Sequence, residues 1–289
     1  MRETPDSSLK RRAAPPLGSW CVRRHDGVPA PALPVTISAQ RQLFCLALFA
    51  LSLSGCDRPG ALAVELTSGR VPPVLLFNGT GTSANDVAAI ETLLEKSQIS
   101  YSTADSVQLD EMSAARLRSY QLIIVPGGDF TRIGSGLETG TAAKLHDAVQ
   151  DGVNYLGICA GAFFAGCSPC NGLNLTSGVQ FGFYSAEARG IRKAPVPISG
   201  AGTPTLDQYW EDGPQLTGWG EVVGRYPDGT PAVVQGQSGD GWVILTGVHP
   251  EAPESWRDGM DFTTPANDDH KYAVTLIHSA LDRRPLPHF

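Results

Sequence analysis

The sequence predicts an α/β fold with a mostly parallel central sheet, helices on both faces and an antiparallel extension. Two observations carry this prediction. In the middle of the chain, continuous apolar runs that read as buried strands alternate with helical patterns, as in Val74–Phe77, Leu122–Val125 and Val153–Ile158. Strands buried on both faces are typical of parallel sheets covered by helices. Later runs are instead separated by short turns, which indicates antiparallel pairing.

The first half of the domain divides into alternating strands and helices. The loop Asn78–Ser83 is rich in glycine and ends in Ser83, which is placed to cap the following helix. The predicted strands are Val74–Phe77, Ile99–Ser102, Leu122–Val125 and Val153–Ile158, and the predicted helices are Asn85–Lys96, Glu111–Arg118, Thr139–Asp151 and Ala160–Ala165.

In the second half of the domain, the sequence patterns that indicate strands and helices are shorter. Gly178–Gly220 is rich in glycine, proline and aromatic residues, and predicts short strands with long loops. Turn residues then separate three predicted antiparallel strands, and an amphipathic helix closes the domain. These elements are Glu221–Tyr226, Ala232–Gln235, Trp242–Leu245 and His270–Leu281.

The N-terminal part predicts export and not a folded core. Arg41 precedes the apolar run Leu43–Leu53, and small residues lead to Cys56, which is the order of a secretory signal. The ending Leu-Ser-Gly-Cys looks like a bacterial lipobox, which implies lipid on the Cys56 sulfur. An ordinary signal peptide or an uncleaved anchor remains the alternative.

We therefore divide the chain into four segments. Residues 1–34 are a disordered leader or precede the true start of translation, which we place near Val35. Residues 35–55 are the signal peptide, residues 56–72 are a tether, and residues 73–289 are the folded domain. The expected location is the cell envelope, with the domain lipid-anchored and facing the periplasm, in the inner or the outer membrane.

Charge narrows the class of partner. Cys56–Phe289 carries 15 Lys and Arg against 26 Asp and Glu, a net charge of −11. An acidic domain is repelled by the phosphates of nucleic acids. We expect a small-molecule or peptide substrate and no nucleic acid, with the oligomeric state left open.

The most informative motif is Gly157–Gly161, with the sequence Gly-Ile-Cys-Ala-Gly between a predicted strand and a predicted helix. A strand, a sharp turn and a helix with a nucleophile at the turn form a nucleophile elbow, and glycines two residues on either side remove colliding side chains. Cys159 also lies at a helix N-terminus, where the dipole favours the thiolate. A buried structural cysteine is the alternative.

A second motif supplies candidate partners for that cysteine. The run Gly241–Val248 reads as a strand and leads directly into His249-Pro250-Glu251. We predict a triad in which Cys159 is the nucleophile, His249 the general base and acid, and Glu251 the residue that orients the histidine.

An oxyanion hole is predicted beside the triad. The strand Leu122–Val125 ends in Pro-Gly-Gly, which exposes backbone N–H groups. The expected donors are the N–H of Ala160 and an N–H of Gly128 or Asp129.

Other residues are candidates for the lining of the substrate pocket. The loop Asn78–Ser83 lacks the third glycine of a dinucleotide fingerprint and the lysine of a P-loop, which argues against a phosphate-binding loop. We expect a tight strand-to-helix turn instead, in which Asn78 and Gly79 line the pocket. Arg189 is a candidate clamp for a substrate carboxylate, although an ion pair with a surface acid is an alternative. Phe163, after the elbow, is expected to narrow and dry the pocket. No cofactor is expected.

Cys167 and Cys170 form the sequence Cys-Ser-Pro-Cys. In an oxidising compartment the favoured interpretation is a small disulfide between them. Zinc would need two further ligands, and no second motif of this kind exists, so no metal site is predicted. A redox motif would be expected to open a helix, whereas this one follows a helix.

These stretches resemble the class I glutamine amidotransferase-like superfamily. Within it the chain is most similar to the family found at the N-terminus of eukaryotic biotin–protein ligases and in stand-alone bacterial proteins. The similar stretches are Asn78–Ser83, Ile124–Gly128, Gly157–Ala165, Gly182–Gly190 and Gly247–Glu251. The resemblance implies a flavodoxin-like three-layer sandwich and a Cys-His-Glu site.

The chain also departs from that superfamily. Its glutaminases carry a glutamine shortly after the elbow glycine, where this chain has Ala162, Phe163 and Phe164. We therefore expect a cysteine-dependent amidase or hydrolase acting on an amide of a small molecule or peptide, and neither ammonia transfer nor biotinylation by this chain itself. The alternative is a non-catalytic lipoprotein that binds a ligand in the same pocket.

Overall fold

The computed structural model of the chain describes residues 71–289. The segments predicted for residues 1–34 and 35–55, nearly all of the tether and the lipidation site Cys56 lie outside the described residues. Among the helices of the described part, none combines the length and the apolar character that a bilayer crossing requires.

Eleven strands are formed in the described residues. The strands are β1 Val74–Phe77, β2 Tyr101–Ala104, β3 Leu122–Val125, β4 Asn154–Ile158, β5 Gly182–Phe183, β6 Lys193–Gly200, β7 Leu206–Glu211, β8 Pro214–Gln215, β9 Glu221–Arg225, β10 Pro231–Ser238 and β11 Gly241–Thr246.

Eight α-helices and one short 3₁₀ helix, Glu254–Trp256, complete the described part. The α-helices are α1 Ala84–Lys96, α2 Ser106–Glu111, α3 Ala114–Leu117, α4 Phe130–Ser135, α5 Thr139–Gln150, α6 Ala160–Ala165, α7 Ser185–Ala188 and α8 Ala266–Asp282.

One nine-stranded sheet runs through the molecule in the order β2-β1-β3-β4-β11-β10-β9-β6-β7. The first five strands of that order are parallel to one another, and the last four continue the sheet in antiparallel pairs. Strand β11 joins the two halves, since it is parallel to β4 and antiparallel to β10. The predicted α/β fold with an antiparallel extension is confirmed.

Alternate side chains of the parallel strands supply two separate cores. On one face, Leu75 and Ile123 pack with apolar residues of α2 to α6. On the other face, Leu76 and Ile124 pack with residues of α1 and α8. This two-sided burial explains why the strands read as continuous apolar runs and not as alternating ones.

Four elements differ from the sequence prediction. The helix predicted over Glu111–Arg118 is formed only in part, because α2 ends at Glu111, Met112 adopts extended backbone and Ser113 caps the start of α3. Strand β2 begins at Tyr101, since the N–H of Ile99 still donates to Leu94 O at the end of α1. Helix α4 was not predicted, and helix α8 begins at Ala266, before the predicted start.

Candidate active site

The predicted elbow is formed between β4 and α6. Cys159 has φ 49° and ψ −102°, a backbone conformation that a residue with a side chain rarely adopts. Strain of this kind costs on the order of 1–3 kcal/mol and is concentrated at functional sites. The neighbouring chain holds the turn, because the N–H of Cys159 donates to Thr246 O of β11 at 2.8 Å.

The two flanking glycines permit this turn for a steric reason. A Cβ atom on Gly161 would lie 1.9 Å from Val125 O, and one on Gly157 would lie 2.6 Å from Gly161 O. Both distances are far below van der Waals contact, so a side chain at either position would push α6 away from the sheet. The glycine spacing therefore predicts the elbow correctly, and for the expected cause.

His249 lies directly after β11, and its ring is buried between two carboxylates. Its Nδ1 atom is 2.9 Å from Glu251 Oε1, to which it is hydrogen-bonded, and 3.0 Å from Asp86 Oδ1. The Nδ1 atom carries one proton and donates it to Glu251, so Asp86 Oδ1 has no hydrogen bond of its own within the described residues. The Nε2 atom is then the ring nitrogen available to Cys159.

The surroundings of His249 favour its protonated form. Burial by itself lowers the pKa of the imidazole, but the neighbouring Cys159 sulfur and Glu251, together with Asp86, raise that pKa well above its ordinary value. Burial raises the pKa of Glu251, an effect that the charge of His249 opposes only in part. For Asp86, burial raises the pKa, but the adjacent imidazole of His249 outweighs that effect, so the pKa is lowered.

The sequence did not identify Asp86 as a site residue. It lies in the first turn of α1, where acidic residues are common because they favour the helix dipole. The predicted cap Ser83 is formed, and its hydroxyl accepts from the N–H of Asp86. That cap fixes the start of α1 at the point from which Asp86 reaches His249.

Asp86, His249 and Glu251 also offer three donor atoms within 4.8 Å of one another, the kind of cluster that can hold a metal ion. Ligands of a tetrahedral zinc ion at about 2.0–2.1 Å stand roughly 3.3 Å apart. The contacts of 2.9 and 3.0 Å at Nδ1 are shorter than that separation. The observed distances are those of a histidine that is hydrogen-bonded to one carboxylate and lies beside a second.

The backbone N–H groups predicted as oxyanion donors lie beside the elbow. Ala160 is the first residue of α6, so its N–H has no carbonyl within its own helix to bond. Gly128 pairs with Thr82 in an antiparallel bridge whose hydrogen bonds are made by the flanking residues, so the Gly128 N–H points away from that partner. Both residues line the cleft that contains Cys159.

Asp129, the alternative to Gly128 in the predicted hole, has another role. Its N–H donates to Gly81 O at 2.8 Å, and its carboxylate caps α4 by accepting from the N–H groups of Thr131 and Arg132. The Asp129 N–H is therefore unavailable to an oxyanion, and that part of the prediction is wrong.

Cys159 and His249 open onto a cleft of about 460 Å³. Phe163 lines this cleft as predicted, whereas Asn78, Gly79 and Arg189 do not. Asn78 and Gly79 turn towards β2 and α2, since the Asn78 N–H donates to Ala104 O and a Cβ on Gly79 would touch Ser106 N. Arg189 follows α7 on the exposed surface, whereas Arg192 lines the cleft.

The predicted disulfide between Cys167 and Cys170 is not formed. Cys170 has a free thiol and is exposed. Its backbone is left-handed, with φ 61°, and its carbonyl packs so closely on Gly134 that a Cβ there would lie 1.6 Å from Cys170 O. This packing fixes Cys170 in a turn that presents its side chain to solvent.

Comparison with known proteins gives matches to part of the chain. A curated biotin–protein ligase of Schizosaccharomyces pombe is 25% identical over 214 residues, which are 62% of this chain and 33% of that protein. The chain therefore spans about a third of the length of the curated relative it matches.

Similar solved structures include an exo-β-1,4-mannosidase from Opitutaceae bacterium strain TAV5, with 14% identity and a TM-score of 0.44 over 73% of this chain and 36% of that one. They also include a cytoplasmic protein of Salmonella typhimurium, with 11% identity and a TM-score of 0.46 over 71% and 98%. At these values neither likeness says anything about activity. The family model described as "Biotin-protein ligase, N terminal" matches residues 73–191, a region that contains Asp86 and Cys159 and ends before His249.

Proposed function

We propose that this chain is a cysteine-dependent amidase or hydrolase of the glutamine amidotransferase-like type, acting on an amide of a small molecule or peptide. One observation carries the proposal. A cysteine in a strained elbow shares a cleft with a buried histidine whose Nδ1 is hydrogen-bonded to a glutamate at 2.9 Å. A nucleophile, a base and a residue that orients the base are the parts that acyl transfer requires.

The protonation states suggest how the reaction starts. Because the pKa of His249 is raised by the negative groups around it, the proton is expected on the imidazole before the substrate binds. Cys159 Sγ then attacks the carbonyl carbon as a thiolate, and His249 donates its Nε2 proton to the leaving amine as the C–N bond breaks. Water subsequently hydrolyses the thioester with His249 as the base.

The backbone supplies the electrostatic part of catalysis. The N–H groups of Ala160 and Gly128 are the proposed donors to the oxyanion that forms during attack. Removal of one such donor typically costs about 3 kcal/mol in the transition state. Glu251 holds the Nδ1 side of the ring, so that Nε2 faces the cleft.

The cell-envelope location remains part of this proposal. It depends on the apolar run Leu43–Leu53 and on Cys56, both outside the described residues. Lipid on Cys56 would tether the acidic domain to a membrane while its cleft faces the periplasm.

The test is the alkylation rate of Cys159 as a function of pH, measured by mass spectrometry of peptides from the full chain. Exposed Cys170 serves as the reference thiol in the same sample. We expect fast labelling of Cys159 to persist below pH 7 and to slow by about tenfold or more in His249→Ala, because the thiolate loses its cationic partner.

His278→Ala is the matched control, since His278 is an exposed residue of α8. The catalytic proposal is wrong if Cys159 follows the same pH curve as Cys170 and does not respond to His249→Ala. The non-catalytic ligand-binding lipoprotein would then be the better interpretation.

A further inference from the structure

One wall of the cleft is aromatic. Phe130 and Phe163 are stacked with ring centroids 4.5 Å apart, and Phe183 lies across them at 6.3 and 4.9 Å. The three rings come from three separate elements, α4, α6 and β5. Phe183 is 44% exposed, so an apolar ring face remains open at the mouth of the cleft.

The rest of the lining is rich in carboxylates. Asp86, Asp129, Glu211 and Asp212 all line the cleft. Hydrogen bonds from Thr131 hold the pKa of Asp129 below its ordinary value, which keeps that carboxylate charged. The Oδ2 atom of Asp212 faces Arg192, while its Oδ1 atom is buried and has no hydrogen-bond partner within residues 71–289.

The positive groups of the lining are already paired. The Arg192 guanidinium lies 2.9 Å from Glu187 Oε1 and 2.5 Å from Asp212 Oδ2. His249 faces Glu251 and Asp86. Among the lining residues described, the four acids outnumber the two cationic side chains, and each of those two already faces two acids.

We propose that the cleft selects amides that carry a positive charge beside an aromatic or apolar group, and that it disfavours substrates with a free carboxylate. This inference rests on the proposed function, because it names the substrate class of the same site. A cation over an aromatic face and near carboxylates is stabilised by both. A carboxylate would meet the negative lining and lose its hydration without gaining a partner.

The test measures the charge preference at the sulfur itself and does not require turnover. Methanethiosulfonates react with a thiolate to form a mixed disulfide while the sulfinate leaves. Reagents with a trimethylammonium, a sulfonate or a plain methyl group would be compared on the full chain, with Cys159 and Cys170 quantified separately. We expect the cation-to-anion rate ratio to be about tenfold or more higher at Cys159 than at Cys170, and to fall with added salt.

Variants locate the source of the preference. Glu211→Gln and Asp212→Asn are each expected to reduce the ratio at Cys159, whereas Asp147→Asn, on the exposed face of α5 and outside the lining, is the matched control. A benzyl reagent should react faster than the methyl reagent at Cys159, and Phe183→Ala should remove that advantage.

The failures are distinguishable. Equal ratios at Cys159 and Cys170 would overturn the substrate-class inference, while the pH profile of alkylation and its dependence on His249 would still support the nucleophile. A higher cation-to-anion rate ratio at Cys159 than at Cys170, together with an alkylation rate that His249→Ala does not change, would overturn the catalytic proposal and leave the charge preference of the cleft in place. A Cys159 that no reagent reaches would overturn both.

Discussion

At the scale of single residues, the site places two acidic neighbours beside one histidine nitrogen. Glu251 Oε1 and Asp86 Oδ1 lie 2.9 and 3.0 Å from His249 Nδ1, and both side chains are buried. Glu251 follows His249 closely in sequence, whereas Asp86 comes from a distant helix. We interpret Asp86 as a positioning residue, because its carboxylate faces the imidazole of His249.

This interpretation predicts the effect of Asp86→Asn. The substitution keeps the shape of the side chain and removes one of the negative groups that raise the pKa of His249, so that pKa should fall. A titration of the His249 ring followed by NMR measures it directly. Asp147→Asn is the control, and an unchanged His249 midpoint in Asp86→Asn would contradict the assignment.

The sequence predicts Cys159, His249 and Glu251 because short motifs carry them. Asp86 lies in no such motif, because acidic residues are common in the first turn of a helix and do not by themselves indicate a site. No motif in the sequence identifies Arg192 as a residue of the cleft either. Arg189 follows the aromatic stretch more closely, but α7 ends at Ala188 and leaves Arg189 on the surface, while the start of β6 carries the chain past the cleft.

At the scale of elements, the elbow joins β4 and α6 without space for a side chain on either flank. A Cβ on Gly161 would overlap Val125 O of β3, so the contact is between backbones of different elements. The spacing of the glycines in the sequence indicates this close backbone contact, which is why the elbow is predictable. Helix α4 is too short to show a helical period, and only its cap, Asp129, marks it in the sequence.

Substitution of the elbow glycine tests this packing. Gly161→Ala should lower the free energy of unfolding by at least about 1–3 kcal/mol, because a rigid carbonyl and not a flexible side chain stands in the way. Gly140→Ala is the matched control, since nothing lies within 4 Å of a Cβ there and the residue lies in the first turn of α5, where alanine adopts the backbone without strain. It should raise stability by about 0.5–1 kcal/mol.

Urea unfolding of both variants, followed by circular dichroism, makes the comparison. A Gly161→Ala variant as stable as the original chain would show that α6 can move away from β3 at little cost. The rigid-elbow interpretation would then fail, and with it the steric reason for the glycine.

At the scale of the whole molecule, the two halves of the sheet share the site. The parallel half carries Cys159, and the antiparallel half holds His249, whose N–H donates to Tyr209 O of β7 at 2.8 Å. The parallel half is predictable because its strands are buried runs. The pairing of β6 with β7 and β9 is not, since Gly178–Gly220 has no clear period and these contacts depend on tertiary packing.

A buried acid also links α8 to the segment before it, and it predicts how stability depends on pH. Asp269 lies 3.8 Å from Arg257, with Asp207, Asp268 and Glu254 as nearby negative groups. Burial raises the pKa of Asp269 to about 7, an effect that Arg257 opposes only in part. In the unfolded chain the same group titrates near its ordinary value of about 3.9.

The folded protein therefore binds more protons than the unfolded chain between about pH 4 and pH 7, and this contribution to stability is lost as the pH rises through about 7. Glu251 and His249, whose pKa values are also raised, act in the same direction. Asp269→Asn should reduce the difference between the unfolding free energies at pH 5 and pH 8 without abolishing it. Asp282→Asn, at the exposed end of α8, should leave that difference unchanged. Urea unfolding at both pH values measures these free energies. If the difference between pH 5 and pH 8 is the same in Asp269→Asn as in the original chain, the prediction is wrong and Arg257 keeps Asp269 ionised over this pH range.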